Sequence, residues 1–132
     1  MGIGLPFALA AKAVHPSKRV VLVIGDSAFG FSGMELETCQ RYNLPITVII
    51  INNNGIFTGV HSIDVKKEGI NSVPVTGLSP SAKYELLGEA FGGKGFSVQT
   101  PPELEKALQE AFKHDSISVI NVHIDPAGFK KP

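Results

Sequence analysis

Two short β-branched runs, VVLVI at 20–24 and ITVIII at 46–51, each lead straight into a polar turn, and this pairing constrains the fold more than any other feature. Unbroken aliphatic runs of this length suit strands buried on both faces of a parallel sheet. The first stops at Gly25-Asp26-Ser27-Ala28, where small residues let backbone N–H groups approach an anion. The second ends in Asn52-Asn53-Asn54-Gly55. Between them Ser32-Gly33-Met34-Glu35 has the Ser-x-x-Glu form of a capping box, which predicts a helix from 33 to 42. Strand, helix and strand make a β-α-β unit with a right-handed crossover. Asp26 and the asparagines then share the carboxyl edge of the sheet, where open α/β folds bind ligands.

One carboxylate and one carboxamide at that edge are both hard oxygen donors. A small octahedral cation such as Mg²⁺ takes oxygen at ~2.0–2.1 Å and completes its sphere with water and phosphate rather than a full protein cage. Asp26, Asn53 and a backbone carbonyl near Gly55 supply such a set. Asn53 follows Asp26 by 27 positions. With that spacing, the stretch GDSAFGFSGMELETCQRYNLPITVIIINNNGIFTG at 25–59 resembles the Gly-Asp-Gly to Asn-Asn signature of thiamine-diphosphate-dependent enzymes. Ser27 replaces the signature's second glycine, and Gly-Asp-Ser-Ala-Phe-Gly-Phe-Ser-Gly-Met-Glu is similar to the form in 2-hydroxyacyl-CoA lyases and oxalyl-CoA decarboxylases.

The resemblance implies thiamine diphosphate and Mg²⁺ as cofactors, with Asp26, Asn53 and the Gly55 carbonyl as metal ligands. It places Gly25, Ser27, Ala28 and Ile56 with them around the cofactor. The implied activity is carbon–carbon bond cleavage on a 2-hydroxyacyl-CoA, or decarboxylation of oxalyl-CoA, the cofactor stabilising the carbanion that is left. The family's activating glutamate lies in a separate N-terminal domain, which Glu35 and Glu37 do not match, so no catalytic residue is assigned within 1–132. Met1 resembles an internal methionine, and the chain a fragment: the C-terminal cofactor-binding domain of a larger homo-oligomeric enzyme, cytoplasmic or peroxisomal. Two other readings stay open. One is a 2-keto-acid enzyme of the acetolactate-synthase or benzoylformate-decarboxylase kind; the other is a non-catalytic module that binds a different phosphate ligand.

Composition excludes several classes. Twelve basic residues balance twelve acidic ones without like-charge blocks, which argues against a nucleic-acid stripe or a polybasic anchor. The single Cys39 excludes an intrachain disulfide and shares a helix face with Leu36, as a packed thiol does. No apolar run is long enough to span a membrane. Residues 1–14 are expected as a buried helix whose Gly2, Gly4, Ala8, Ala10 and Ala11 allow close packing.

Residues 56–79 lack a sustained period and are expected as a long loop that covers the site. It holds Phe57, where the resembled subfamily carries tyrosine, and His61, whose place invites acid–base work although a loop histidine is commonly only solvated. Tyr84, Leu87 and Phe91 form a helical stripe within 81–91, and 95–99 a short strand. Thr100-Pro101-Pro102-Glu103 is a second capping box, opening a helix with Leu104, Ala107, Leu108, Ala111 and Phe112 on its inner face. Residues 118–124 give the last strand, with His123 facing a neighbouring element and His15 and His114 in surface loops. The expected architecture is α/β: a three-layer, mostly parallel sheet with helices on both faces, the thiamine-diphosphate-binding fold.

Overall fold

The computed structural model describes residues 1–56, 65–80 and 82–126. Four strands, β1 (Val21–Gly25), β2 (Thr47–Asn52), β3 (Lys94–Val98) and β4 (Ser118–His123), form one sheet in the order β1-β2-β4-β3. Every pairing is parallel. Val23, Ile49, Ile120 and Phe96 lie in one row across the strands. Helices α1 (Gly4–Val14), α3 (Glu35–Arg41) and α5 (Glu85–Ala90) cover the face carrying Ile24, Val48, Ile50 and Val119. On the other face α6 (Pro101–Ala111) packs Ala107 and Ala111 over Val98 and Ile120. The sheet is thus the middle of three layers, and each strand sits within a residue of its expected position.

The capping box at Thr100 forms in full. Glu103 donates its N–H to Thr100 Oγ1 at 3.4 Å, and Glu103 Oε2 accepts from the Thr100 N–H at 3.1 Å. Thr100→Ala is expected to cost about 1 kcal/mol, seen as a fall of about 4 °C in the midpoint of thermal unfolding; an unchanged midpoint would remove the cap from the account.

The box expected at Ser32 does not form. A short helix α2 (Asp26–Gly30) starts at the end of β1, where the sequence suggested only a loop, and Phe31 and Met34 keep helical dihedrals beyond it. An N-cap needs an extended backbone for its side chain to turn back onto the helix. Ser32 lies inside a continuous series of turns, so α3 begins at Glu35 without a side-chain cap, and Ser32 Oγ is buried without a hydrogen-bond partner among the described residues.

α1 is only half buried, not a buried helix. Leu5, Ala8 and Lys12 face inward, whereas Phe7 is 67% and Val14 72% exposed, and Ala10 and Ala11 face solvent. Lys12 Nζ donates to the carbonyls of Pro16 and Lys18, both at 2.8 Å, and so ties down the connection into β1. The helix at 81–91 is also shorter than expected, running as α5 from Glu85.

Cys39 is fully buried beside Leu36, as the shared helix face predicts. Burial, with the Glu35 charge adding and a backbone hydrogen bond opposing, pushes its thiol pKa up to about 11. At pH 8 roughly one thiol in a thousand is ionised. A thiol-specific disulfide reagent is therefore expected to modify the denatured chain quickly and the native chain only as fast as it opens; rapid stoichiometric labelling of the native protein would contradict this placement.

Candidate functional site

The parallel register Gly25↔Ile51 brings the two polar turns side by side at the carboxyl edge of β1 and β2. Asp26 is the first residue of α2 and only 1% exposed. Its Oδ1 accepts the N–H of Ser27 at 2.7 Å, and its Oδ2 accepts the N–H of Gly55 at 3.0 Å. One carboxylate therefore joins both turns. The Ser27 N–H is spent on Asp26 and its hydroxyl lies 3.5 Å from the same oxygen, so a bound anion would meet first the Ala28 amide, which sits in a first turn lacking intrahelical acceptors.

The second turn is held from three sides. Asn54 adopts φ 64°, a left-handed conformation that asparagine tolerates. Its N–H donates to Asn52 Oδ1 at 3.0 Å and its carbonyl accepts from Leu78 at 2.9 Å, while the Ile56 N–H donates to the Thr76 carbonyl at 2.9 Å. Gly55 and Gly77 form an antiparallel bridge. The segment expected as one long loop thus contains a short helix α4 (Val65–Glu68), a 3-10 turn (Ile70–Ser72) and a return that clamps residues 54–56. Phe57 and His61 lie outside the described residues.

Gly25, Asp26, Ser27, Ala28, Asn53, Gly55 and Ile56 all line one cleft of about 260 Å³, closed further by Met1, Ile51 and Ile124. A hollow of about 270 Å³ lies elsewhere, lined by Lys12, Lys18, Arg19 and His114. Size does not separate the two; chemistry does, because Lys12 there is already committed to loop carbonyls. The cleft's donors fit a small hard cation. Asp26 is a buried carboxylate whose hydrogen bonds come from backbone amides and the Ser27 hydroxyl, with no basic side chain paired to it among the described residues. A buried charge calls for such a partner. Among the described residues no three His, Cys, Asp or Glu side chains converge on a metal site, so a cation here would draw on the Asn53 amide, a carbonyl and phosphate oxygens.

Two neighbours were not singled out for the site from the sequence. The Tyr84 ring meets Phe29 edge-on at 5.9 Å, and its phenol pKa is raised by burial and then by the Asp26 charge. Below the second turn, Asn52, Asn121 and Glu85 are buried and hydrogen-bonded in series. Their only signal was polarity out of place: an asparagine inside SVINVH, and a glutamate next to the apolar stripe of 84–91.

A family model described as "Thiamine pyrophosphate enzyme, C-terminal TPP binding domain" matches residues 1–122, and the chain belongs to that family. The particular relatives narrow the comparison. The 2-hydroxyacyl-CoA lyase 1 of Mus musculus is 45% identical over 141 residues, covering 99% of this chain and 24% of the mouse protein. Oxalyl-CoA decarboxylase of Escherichia coli K12 is 46% identical over 127 residues, covering 96% of this chain and 22% of its own. The solved 4-hydroxybenzoylformate decarboxylase of Rhodococcus jostii RHA1, which is thiamine diphosphate-dependent, superposes with a TM-score of 0.76 at 26% identity, over 95% of this chain and 23% of that one. The chain spans less than a quarter of the length of each of these relatives.

Proposed function

We propose that residues 1–132 form the Mg²⁺- and diphosphate-binding part of a thiamine-diphosphate-dependent carbon–carbon lyase acting on 2-hydroxyacyl-CoA or oxalyl-CoA. The observation that carries this reading is the Asp26 carboxylate, buried in the wall of a cleft without a basic partner among the described residues and joined to the Gly55 amide. Asp26, the Asn53 carboxamide and the Gly55 carbonyl would hold the metal, with Ser27 and Ala28 beside the diphosphate and Gly25 and Ile56 completing the wall. When bound, thiamine diphosphate supplies an electron sink for the carbanion left by carbon–carbon cleavage. The chain's own part is to fix that group's anionic end: two turns joined through Asp26 hold their donors in place before a ligand arrives, which reduces the ordering cost of binding.

Identity of 45–46% to enzymes named for acyl-CoA substrates, against 26% to a benzoylformate-type decarboxylase, favours the CoA reading. The test is a steady-state assay of the whole protein with thiamine diphosphate and Mg²⁺, following 2-hydroxyacyl-CoA, oxalyl-CoA and benzoylformate by mass spectrometry. Consumption of a CoA substrate that ceases on chelation is expected. Turnover of benzoylformate alone would move the protein to the 2-keto-acid class, and binding of unrelated diphosphates as tightly as thiamine diphosphate would reduce it to a phosphate-binding module.

A further inference from the structure

Asn121 lies in β4 between Ile120 and Val122, on the face that α5 covers, and is fully buried. Its Nδ2 donates to Glu85 Oε2 at 2.8 Å, and its Oδ1 accepts from Asn52 Nδ2 at 3.1 Å. Asn52 Oδ1 in turn accepts the Asn54 N–H at 3.0 Å. The series has a direction. An ionised carboxylate only accepts, so Glu85 obliges Asn121 to present its NH₂ toward α5 and its oxygen toward Asn52. Asn52 must then present its NH₂ to Asn121, which leaves its oxygen aimed at the Asn54 amide.

We propose that Glu85, Asn121 and Asn52 are positioning residues for the Asn53–Gly55 metal-binding turn: the carboxylate on α5 sets both amides and thereby fixes the Asn54 peptide. This rests on the function proposed above. Packing alone does not call for these residues, since apolar side chains of similar volume commonly serve a core as well as or better than buried charged networks. What apolar side chains cannot supply is an acceptor for the Asn54 N–H, and Asn54 holds φ 64° between Asn53, in the cleft wall, and Gly55, bonded to Asp26. A group that orients a ligand through hydrogen bonds typically accounts for about 10–100-fold in metal affinity.

The test compares wild-type protein with Glu85→Ala, Asn121→Ala and Glu85→Gln. Mg²⁺ is titrated calorimetrically at fixed thiamine diphosphate, and exchange of the Asn54 amide is followed in protein free of both. The alanine variants are expected to bind Mg²⁺ about 10–100-fold more weakly and to exchange the Asn54 amide faster. Glu85→Gln keeps an oxygen for Asn121 Nδ2, and the Asn54 N–H, which can only donate, holds the series in the same direction from its other end, so this variant is expected to stay within about threefold of wild type. Wild-type Mg²⁺ affinity in both alanine variants overturns the proposal, as does a loss in Glu85→Gln as large as in Glu85→Ala. Should the alanine variants not fold, the near-isosteric Glu85→Gln and the wild-type exchange rate still decide: an unprotected Asn54 amide, or a tenfold loss in Glu85→Gln, refutes it. A wild type that binds neither Mg²⁺ nor thiamine diphosphate refutes the proposed function first and this inference with it, a result distinct from a wild type that binds beside variants that bind equally well.

Discussion

Replacing Asp26 with alanine is expected to abolish Mg²⁺-dependent binding of thiamine diphosphate, with no heat of binding at cofactor concentrations that saturate the wild type. Among the described residues, the change removes the one carboxylate that lines the cleft and the only side chain hydrogen-bonded to both of its turns. At 1% exposure Asp26 is buried at the strand end rather than open to solvent, so its loss also bears on stability. The Gly55 N–H would lose the Asp26 oxygen that accepts it, at a cost of about 1–3 kcal/mol. Asp26→Asn preserves volume and separates the effects, since it removes the charge and leaves one oxygen to accept. Both variants are expected to remain folded by circular dichroism and to fail in titration. Wild-type affinity in Asp26→Asn would show that the carboxylate charge holds no cation. Asn53→Ala is expected to weaken the same site; if it does not, Asn52 or Asn54 becomes the candidate ligand, and the structure already commits Asn52 Oδ1 to a backbone amide.

Gly95→Ala is expected to do large damage from outside the cleft. Gly95 lies in β3 beneath α5, and a Cβ there would stand 2.5 Å from the Glu85 carbonyl oxygen and 3.0 Å from Glu89 Oε1. Gly88, on the helix side, is equally tight, with its Cβ position 2.6 Å from the Lys94 carbonyl oxygen. The two glycines let helix and sheet approach closely enough for Glu85 to reach Asn121. Neither side can yield cheaply because the clashing atoms are backbone. Overpacking of this kind costs about 3 kcal/mol, or roughly 12 °C in thermal midpoint for a chain of this size. Because α5 must lift, Mg²⁺ affinity is expected to fall in the fraction that remains folded. A midpoint within a degree or two of wild type would show that α5 does not pack as described.

The parts of the site legible in the sequence are those built from neighbours in the chain. Two β-branched runs of the right length fix two adjacent parallel strands, and the turns that follow must then meet at one edge; the 27-residue spacing of Asp26 and Asn53 carries the cleft with it. Thr100 and Glu103 cap α6 because both partners lie within one turn. Ser32 and Glu35 show the same pattern and fail, since the backbone entering from α2 is already helical, a condition the four-residue motif does not record. The Asn52, Asn121 and Glu85 series joins residues 69 and 36 positions apart, a separation at which no local pattern signals a contact. Lys12 is likewise a cation inside an apolar helix, and the carbonyls of Pro16 and Lys18 that accept its hydrogen bonds lie beyond the helix end. β1 shows what remains uncovered: Val23, in the row that α6 protects elsewhere, is 63% exposed, and Phe31 and Met34 are similarly open. Apolar area of that kind is expected to favour association.

The assignment of Asp26, Asn53 and Gly55 as metal ligands is tested by a crystal structure of the protein grown with thiamine diphosphate and Mn²⁺, the anomalous signal of manganese marking the metal. A single strong peak in the cleft, in direct contact with the Asp26 carboxylate, the Asn53 carboxamide oxygen, the Gly55 carbonyl and the diphosphate, is the predicted result. A peak elsewhere, or a diphosphate bound in the cleft with no metal touching Asp26, would contradict it.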